Sequence, residues 1–589
     1  MFLLLIRFCL LILVFFGLFQ LVSNKTTIKK AYIPFVVMMG IGMTMFIAGL
    51  VNLMQEISIV ILFYSVYQVI HTFIINKNYE ILKSTEIYFF IVVSLIFVLL
   101  FQNHYFVQYD DFSHWGLVAR EIIYSNRFPN FTDEIVTFQS YPTGSASFIY
   151  FVVKILGFSE GNMFFAQSLI YLSCIIPLFA FIKNKNFLSY ISIILYFLYL
   201  IFGNYGMRTI YVDTILSCVS IAITAIIFLS YKNGEVSEAF IPLILGNSFL
   251  VTVKNSGLLF VVITVIIYMV FLTEEKSKWN IFHLLCMVFT PFATNLLWNK
   301  HIEMVFSEAA LSKHSMSLDN YQSILGSKTS SDIVSISESL FKRIFNLKFV
   351  DVQLILLMML FLTIFFMFNY YSNKKEGDRL IDYTSFRLLI GISGLYTTYQ
   401  IGLWFMYIFS MPIKESLNLA GYARYNVTIV AYLLGIFVIN YLSENDQKST
   451  LSLSRIILIT ATFFTLSFSV FQQKEAISQF ISNEVYNESS RSLLAKIISS
   501  NDLTNEDSIL IYVSNMTEKE SNDSLYFQFK YELRNKNIKV IDSQNIDSIL
   551  NNKNEFLLIT LKEDPLILEY LNENNLTNQG KIIRMNSGE

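Results

Sequence analysis

Long apolar runs dominate the chain and restrict its fold more than any other feature of the sequence. Runs of about 15 to 25 mostly apolar residues recur from the N-terminus to about residue 472. Of the 589 residues, 54% are hydrophobic and 15% are charged, which is too little charge to cover so much apolar surface in water. The sequence therefore predicts an α-helical polytopic membrane protein.

The apolar runs give about fourteen candidate transmembrane helices. Their limits are 2–23, 31–53, 57–75, 86–102, 162–182, 186–204, 208–230, 239–252, 255–272, 280–299, 351–371, 384–410, 424–442 and 455–472. The run 145–158 is short and is predicted to be re-entrant or interfacial. The pair 239–252 and 255–272 forms either two spans or one bent span and a partial one. The first run lacks a small-residue cleavage site, so we expect a retained helix.

Lysine and arginine in the short loops set the expected orientation. With fourteen spans, one side of the membrane receives Lys25, Lys29, Lys30, Lys77, Lys83, Lys183, Lys185, Lys276, Lys278, Lys374, Lys375, Arg379, Lys448 and Arg455. Because positive loops mark the cytoplasmic side, we expect the N-terminus and the C-terminal region to lie outside the cytoplasm. The loops 103–144 and 300–350 and the loop near 411–424 are expected on the same outer side.

Composition divides the chain into three predicted parts. Residues 1–84 hold three N-terminal spans, and 85–474 form a transmembrane core with the two large outer loops. In 475–589 the spans stop, and charged residues and asparagine dominate. The runs SILIYV (508–513), IKVID (538–542) and EFLLITL (555–561) are typical of buried strands, and helical stretches lie before and between them. The last part is therefore predicted to be a small α/β domain.

Several function classes are disfavoured by what the sequence contains. The net charge of −2 argues against a nucleic-acid partner. No glycine-rich nucleotide loop and no strong internal repeat of a transporter is apparent. The cysteines sit inside apolar runs, with neither metal-binding spacing nor a disulfide pattern; they are Cys9, Cys174, Cys218 and Cys286.

An acidic segment follows the fourth span directly. It reads FVQYDDFSHWGLVARE and places Asp110, Asp111 and His114 at the predicted membrane surface. In a helix, Asp110 and His114 would lie on one face at i and i+4. Capping of a juxtamembrane helix explains the aspartates equally well, and a solvated side chain explains the histidine. The loop continues to a Pro-Gly turn in FQSYPTGSASF (138–148), so an acidic and aromatic cleft over the membrane is a plausible alternative.

Further ionisable residues lie at the predicted outer ends of spans. Arg208 and Asp213 occur in GMRTIYVDTIL, Lys254 in LVTVKNSGLLF and Arg424 in GYARYNVTIVAY. Ionised groups are costly within a bilayer, and each position invites a functional role. Interfacial anchoring is the alternative for the two arginines, and a structural ion pair is the alternative for Asp213 and Lys254. For His314, in the second large loop, a solvated side chain without a functional role is the alternative.

These segments resemble the GT-C superfamily of polytopic glycosyltransferases. YDDFSHWG followed by SYPTG about thirty residues later is similar to the acidic first outer loop of a bacterial branch of that superfamily. YVDTIL (211–216), KNSGLLF (254–260), SKHSMS (312–317) and ARYN (423–426) are similar to further segments of the same branch. The resemblance covers roughly residues 85–475. Two departures are the Pro142-Thr143 pair, where the branch usually has two prolines, and the three additional N-terminal spans.

The resemblance implies sugar transfer from a polyprenyl-phosphate donor to an extracytoplasmic acceptor, expected to be a cell-envelope glycan of a bacterium. Asp110 is expected to be the general base of an inverting reaction. Asp111 is expected to orient the acceptor or to share Mg²⁺ or Mn²⁺ with Asp110, although the need for a metal is left open. His114 is expected to orient Asp110 or to contact the phosphate. The residues expected to bind substrate or lipid phosphate are Arg424, Arg208, Lys254, Asp213, His314 and Tyr141.

Two other functions fit much of the same sequence. A flippase or transporter of a lipid-linked saccharide would place charges along a path through the bilayer, whereas here most of them cluster on one predicted side. A polymerase or ligase of lipid-linked oligosaccharides would share the arginine-rich outer face, and the sequence separates it poorly from a glycosyltransferase. A structural or sensor protein would leave the acidic loop unexplained.

Overall fold

The computed structural model of the chain describes most of its residues. The described ranges are 2–75, 80–182, 186–203, 206–272, 278–306, 318–376, 384–445, 453–482, 486, 489–499, 507–514, 521–542, 556–562, 565–573 and 582–585. Several loop residues used above for orientation lie outside these ranges, namely Lys77, Lys183, Lys185, Lys276, Arg379 and Lys448. His314 and the SKHSMS segment also lie outside them.

Helices make up the part of the chain that precedes the C-terminal region. They are α1 (Phe2–Lys25), α2 (Ile33–Leu50), α3 (Met54–Ile70), α4 (Thr85–Leu100), α5 (Gly116–Ser125), α6 (Gly144–Leu156), α7 (Glu160–Ile175), α8 (Phe187–Phe202), α9 (Asp213–Lys232), α10 (Val236–Val253), α11 (Gly257–Leu272), α12 (Lys278–Val305), α13 (Leu318–Gly326), α14 (Ser330–Ile344), α15 (Val350–Glu376), α16 (Thr384–Phe409), α17 (Ile413–Leu417), α18 (Tyr422–Asn445), α19 (Leu453–Phe471) and α20 (Lys474–Ser482). Shorter helical turns occupy Lys30–Tyr32, His71–Ile75, Glu80–Lys83, Asp111–Trp115 and Ile176–Phe181.

The predicted fold class is confirmed, since the chain is a multi-pass helical membrane protein. Within the described ranges, nine helices are long and apolar enough to cross a membrane, namely α1, α2, α3, α7, α9, α10, α12, α15 and α18. Shorter apolar helices are α4, α6, α8, α11 and α19. Each of the fourteen predicted spans coincides with a helix, including α16 for the span 384–410. The count of fourteen membrane crossings stays a prediction.

The two uncertain regions of the sequence have clear structures. The short run 145–158 is α6, a buried helix. Trp298 Nε1 donates to the Ser140 carbonyl just before α6, at 3.1 Å, and Arg7 Nη1 donates to the Leu156 carbonyl at its end, at 3.0 Å. The pair near 239–272 forms two separate helices, α10 and α11, which are divided by residues 254–256.

Contacts between loops show which helix ends lie together at the same end of the bundle. At one end, Lys29 forms an ion pair with Glu235, and Lys232 donates to the Ser443 carbonyl at 3.2 Å. This end therefore gathers the connections after α1 and α9 and the end of α18, as expected for the side rich in lysine. The opposite end carries the loop 103–144 and is called the site end below. Which end faces the cytoplasm stays a prediction.

The most buried long helices carry polar residues at the site end. Between 83% and 94% of the apolar core of α7, α9 and α18 is buried inside the protein, whereas the figure for α3 is 11%. Glu160 is the first residue of α7, Asp213 is the first residue of α9, and Arg424 lies in the first turn of α18. These three side chains are thus attached to the rigid centre of the bundle rather than to its lipid-facing rim.

A small α/β domain follows the helical bundle, as the sequence predicts. Its helices are α21 (Ser490–Ser499), α22 (Asn522–Leu533) and α23 (Pro565–Glu573), and its strands are β1 (Ile509–Val513), β2 (Ile538–Ile541), β3 (Phe556–Lys562) and β4 (Ile582–Met585). The sheet order is β2-β1-β3-β4, with β1 parallel to both neighbours and β4 antiparallel to β3. The fourth strand is absent from the sequence prediction. The division of the chain at 84 and 474 stays a prediction.

Candidate active site

A polar cavity of ≈ 480 Å³ opens at the site end, beneath the loop 103–144. The residues that line it are Gln108, Tyr109, Asp110, Ser113, His114, Trp115, Phe138, Tyr141, Tyr211, Lys254, Met411, Glu415, Ala420, Gly421, Arg424 and Tyr425. They come from the acidic loop, from the segment before α9, and from the ends of α10, α16 and α18. The structure thus brings together Asp110, His114, Tyr141, Lys254 and Arg424, which the sequence analysis selected from four separate segments.

The Asp110 side chain faces this cavity and does not cap the helical turn that follows it. It occupies the position before the turn Asp111–Trp115, yet its carboxylate makes no capping hydrogen bond. Instead the carboxylate forms an ion pair with Arg424 and keeps 28% of its side-chain surface exposed. Its backbone N–H donates to the Tyr211 hydroxyl at 3.0 Å. The capping explanation of Asp110 is therefore wrong, and the carboxylate is available to a ligand.

The Asp111 side chain, by contrast, points away from the cavity. It is fully buried, and its Oδ1 accepts the Ile210 N–H at 3.0 Å. Burial raises the pKa of the Asp111 carboxyl well above its usual value of 3.8, which favours the neutral form. Asp111 therefore supports the segment before α9. This placement departs from the expectation that Asp111 orients the acceptor or shares a metal with Asp110.

His114 lines the cavity as part of an aromatic wall. Its ring centroid lies 4.4 Å from that of Trp115, 4.9 Å from that of Tyr141 and 5.6 Å from that of Phe138. Burial lowers the pKa of His114 to about 3, so the imidazole is neutral at physiological pH. The turn Asp111–Trp115 has π-helical geometry, in which the expected i, i+4 pairing of Asp110 with His114 does not apply. A neutral imidazole contributes shape and a hydrogen-bonding nitrogen rather than charge.

A buried charge cluster forms the floor of the cavity. Lys254 Nζ lies 2.8 Å from Asp213 Oδ1, and Arg424 Nε lies 3.3 Å from Asp213 Oδ2. Asp213 thus holds both cations, while Asp110 reaches Arg424 from the other side. The predicted ion pair of Asp213 with Lys254 is present, but it is joined to the acidic loop through Arg424. With two carboxylates and two cations, the four side chains sum to zero formal charge.

An apolar groove of ≈ 610 Å³ adjoins the polar cavity. Residues of α11, α16 and α18 line it, among them Leu258, Leu259, Leu403, Phe405, Met406, Phe409 and Thr428. Tyr141, Lys254, Met411 and Tyr425 line both spaces. The Lys254 ammonium lies 4.8 Å from the centre of the Tyr425 ring, and Arg424 Nη2 donates to the Tyr425 hydroxyl at 3.3 Å. Lys254 therefore stands where the polar space meets the apolar one, and Arg424 lines the polar space beside it.

Among the other predicted site residues, Asp213 lines the apolar groove and His314 lies outside the described ranges. Arg208 lies in the segment before α9 but lines neither space among the described residues. Tyr211, Tyr425 and Glu415 line the cavity and were missed by the sequence analysis. The first two lie within YVDTIL and ARYN, so the motifs contained them, whereas Glu415 lies on the short helix α17 without any distinguishing pattern.

The described residues do not offer a set of ligands suited to a divalent cation. Nowhere in the described ranges do three His, Cys, Asp or Glu side chains cluster in a way that could hold a metal ion. Asp110 is engaged by Arg424, and Asp111 faces away. The shared Asp110–Asp111 metal site considered from the sequence therefore does not fit this arrangement, and no reaction step is derived through a metal.

Comparisons with known proteins give only distant similarity. No protein-family model matches the chain, and no curated protein matches it closely enough to count as a relative. The chain is similar to crystal structures of ArnT from Cupriavidus metallidurans in the apo state and bound to undecaprenyl phosphate. Identities are 11% and 12%, TM-scores are 0.41 and 0.38, and each match covers 83% of this chain and 94% of the other. With identities and TM-scores this low, neither match supports an argument about the function or the residues of this chain.

Proposed function

We propose that this chain is a membrane glycosyltransferase that moves a sugar from a polyprenyl-phosphate donor to an extracytoplasmic acceptor, with Asp110 as the general base. The observation that carries the proposal is the junction of a polar cavity with an apolar groove at Lys254, with Arg424 in the cavity beside it. A polyprenyl-phosphate sugar has the same three-part chemistry, with a polar sugar, an anionic phosphate and a long apolar chain. ArnT, which is distantly similar, has been crystallised with undecaprenyl phosphate.

Lys254 and Arg424 are the proposed phosphate ligands. Both are largely buried, with 11% and 15% of their side-chain surface exposed, and water screens them less than it would screen surface cations. The guanidinium fork suits two phosphate oxygens, while the ammonium acts as a point charge beside the groove. A lipid phosphate at this junction would leave its isoprenoid chain against α11 and α16 and its sugar in the polar cavity.

Asp110 would accept the proton of the acceptor hydroxyl. In the proposed step, the acceptor oxygen forms a bond to the anomeric carbon, and the bond from that carbon to the phosphate oxygen breaks. The hydroxyl proton moves to Asp110, and the electron pair leaves with polyprenyl phosphate. Direct displacement of this kind inverts the anomeric configuration. Once protonated, Asp110 no longer competes for Arg424, and the guanidinium can then stabilise the extra negative charge of the leaving phosphate.

The aromatic wall of the cavity suits a sugar ring. Trp115, Phe138 and Tyr141 present aromatic surface to the cavity, and Ser113 and the neutral His114 add hydrogen-bonding atoms beside it. Because the site end is the side predicted to lie outside the cytoplasm, the proposed acceptor is a glycan of a bacterial cell envelope. The aromatic wall supports a saccharide but does not select one sugar over another.

We propose that the two cations, rather than a metal ion, balance the phosphate charge. This follows from the engagement of Asp110 by Arg424 and from the orientation of Asp111, which together leave a poor ligand set for Mg²⁺ or Mn²⁺. Transfer activity should accordingly persist in the presence of a chelator such as EDTA. A complete loss of activity that Mg²⁺ or Mn²⁺ restores would contradict this part of the proposal.

The alternatives are less well supported by the geometry. A flippase would need a polar path across the bundle, whereas the charges of the candidate site, Asp110, Asp213, Lys254 and Arg424, all lie at one end. A polymerase or ligase would also use the junction of cavity and groove, but its pyrophosphate donor carries a second phosphate. Because two carboxylates share the two cations, the cluster suits the single negative charge of a sugar-linked monophosphate better than the second charge of a pyrophosphate.

The decisive experiment is transfer by the purified protein in lipid nanodiscs. Radiolabelled polyprenyl-phosphate hexoses and their pyrophosphate-linked counterparts would be offered with an envelope extract from cells that lack the gene. We expect label to move from a monophosphate donor to the extract and polyprenyl phosphate to be released in equal amount. Transfer from pyrophosphate donors alone would favour the polymerase or ligase. Movement of intact donor across the bilayer without release would favour the flippase.

A further inference from the structure

The C-terminal domain packs directly on the acidic loop. The Tyr531 ring meets the rings of Phe106 and Phe112 edge-on, with centroids 5.9 Å and 5.5 Å away. The Phe527 ring meets that of Tyr109 at 5.2 Å. Helix α22 of the domain thus contacts residues on both sides of Asp110. A domain without a role at the site would have no reason to pack on the acidic loop so close to Asp110.

Arg491 of the same domain forms a closed polar ring with the loop. Its Nη1 donates to the Phe106 carbonyl at 2.9 Å, its Nη2 forms an ion pair with Glu160, and its Nε donates to Glu532 at 2.6 Å. Glu160 in turn accepts the Phe106 N–H at 2.6 Å. Both backbone polar groups of Phe106 are therefore held, four residues before Asp110. Arg491 is 3% exposed, so the ring is shielded from water.

The ring connects three parts of the protein that are distant in sequence. Glu160 begins α7, whose apolar core is 94% buried, and so supplies a fixed point on the bundle. Phe106 belongs to the acidic loop, while Glu532 and Arg491 belong to the C-terminal domain. The guanidinium also lies 4.6 Å from the centre of the Phe112 ring, within the turn that follows Asp110. One side chain thus fixes the loop against the rigid bundle from the domain side.

We infer that Arg491 is a positioning residue, through which the C-terminal domain holds the acidic loop so that Asp110 faces the cavity. The catalytic part of this inference rests on the proposed function of Asp110. Arg491 itself does not line the cavity, and neither do Glu160 and Glu532. Donor binding depends on Lys254, Arg424 and the apolar groove, all of which belong to the bundle. Loss of Arg491 should therefore affect turnover much more than donor affinity.

The test compares Arg491→Met with Arg491→Lys and with the control Arg127→Met. Arg127 also forms an arginine–carboxylate pair in the outer region, but its partner, Asp133, lies within the same loop. Two quantities are measured for full-length protein in nanodiscs: hydrogen exchange of the amides in 106–115 and the split between kcat and donor KM. Polyprenyl phosphate alone serves as the binding probe. Should Arg491→Met fail to fold, Glu532→Gln removes only the domain-side charge and takes its place.

We expect Arg491→Met to exchange the amides in 106–115 faster and to lose about 10- to 100-fold in kcat with unchanged affinity for polyprenyl phosphate, since a misplaced catalytic group can cost about 10²-fold. Arg491→Lys should recover part of kcat, and Arg127→Met should match the wild type. Unchanged exchange, or faster exchange with normal kcat, would overturn the inference. An equal loss of kcat and probe affinity would indicate general damage and would also overturn it. If the wild type transfers no sugar, the proposed function fails, while the exchange data still decide whether Arg491 holds the loop.

Discussion

Replacement of Asp110 by asparagine separates catalysis from structure at the centre of the site. The carboxylate faces the cavity and pairs with Arg424, and it makes no capping hydrogen bond. An asparagine is nearly isosteric and can still accept a hydrogen bond from the guanidinium, but it cannot take a proton from an acceptor hydroxyl. The backbone bond to Tyr211 does not involve the side chain and should persist.

The two effects of Asp110→Asn differ greatly in size. Loss of a general base costs about 10²- to 10⁴-fold in rate, or about 2.7 to 5.4 kcal/mol of transition-state free energy. The Arg424 pair is partly exposed on the Asp110 side, and Asp213 still holds the guanidinium, so we expect about 1 kcal/mol or less of lost stability. In a chain of this length such a loss moves Tm by only about 2 °C.

The assay is sugar transfer from a polyprenyl-phosphate donor in nanodiscs, with Tm measured on the same samples. Asp133→Asn is the matched control, because it removes an aspartate from an arginine pair in the same loop without touching the cavity. Asp111→Asn should cost less than about tenfold, since the buried carboxyl favours its neutral form and an amide oxygen can still accept the Ile210 N–H. Near-normal turnover by a stable Asp110→Asn protein would refute the assignment of the base. Equal and severe losses in Asp110→Asn and Asp111→Asn would point instead to a shared metal.

Three further predictions follow from the same structure. Arg424→Lys keeps the charge but loses the forked guanidinium, so the transfer rate should fall about 10- to 100-fold. The rate of Arg424→Ala should fall further, with a higher donor KM. Unchanged kinetics would show that Arg424 only anchors the helix at the membrane interface. The native pKa of His114 is about 3 and its unfolded value 6.5, so the unfolded state binds the proton first as pH falls. Protonation of His114 in the unfolded state should therefore lower the free energy of unfolding by about 2 kcal/mol between pH 7 and pH 5. Denaturation of His114→Phe at the same two pH values should not show this loss. In a background without native cysteines, Thr132→Cys and Lys539→Cys should react with an impermeant thiol reagent in intact cells and Thr27→Cys should not; the reverse pattern would invert the topology.

Local patterns in the sequence predict the long apolar helices and most of the C-terminal domain, but not the short helices α5, α13, α14 and α17. A membrane helix can be recognised from the composition of its own residues alone. Each predicted span therefore coincides with a helix. The strands β1, β2 and β3 are short buried runs between polar segments and were found for the same reason. Strand β4 is only four residues long, Ile582–Met585, and contains Arg584, so its apolar pattern is too weak to predict it.

The pairings that join the acidic loop and the C-terminal domain to the bundle could not be predicted, because they connect residues distant in the chain. The pair of Asp213 with Lys254, only 41 positions apart, was among the expectations. Asp110 and Arg424 are separated by 314 positions, and Arg491 and Glu160 by 331. A single sequence contains no record of which cation meets which carboxylate. The buried placement of Asp111 was also beyond reach, because the turn Asp111–Trp115 is π-helical rather than part of a regular helix.

Helix polarity explains why the cation cluster needs its two carboxylates. Arg424 lies in the first turn of α18, where the helix dipole presents partial positive charge and disfavours a cation. Asp213, as the first residue of α9, sits at a favourable N-terminal position and offsets this cost for Arg424 and for Lys254 together. Asp110 adds the second offset from the acidic loop, with partial exposure, and its carboxylate accepts a hydrogen bond from the Arg424 guanidinium. In the proposed step, transfer of the acceptor proton to Asp110 would weaken this pair and leave the guanidinium to the departing phosphate, while Asp213 still balances the charge of Arg424 and Lys254.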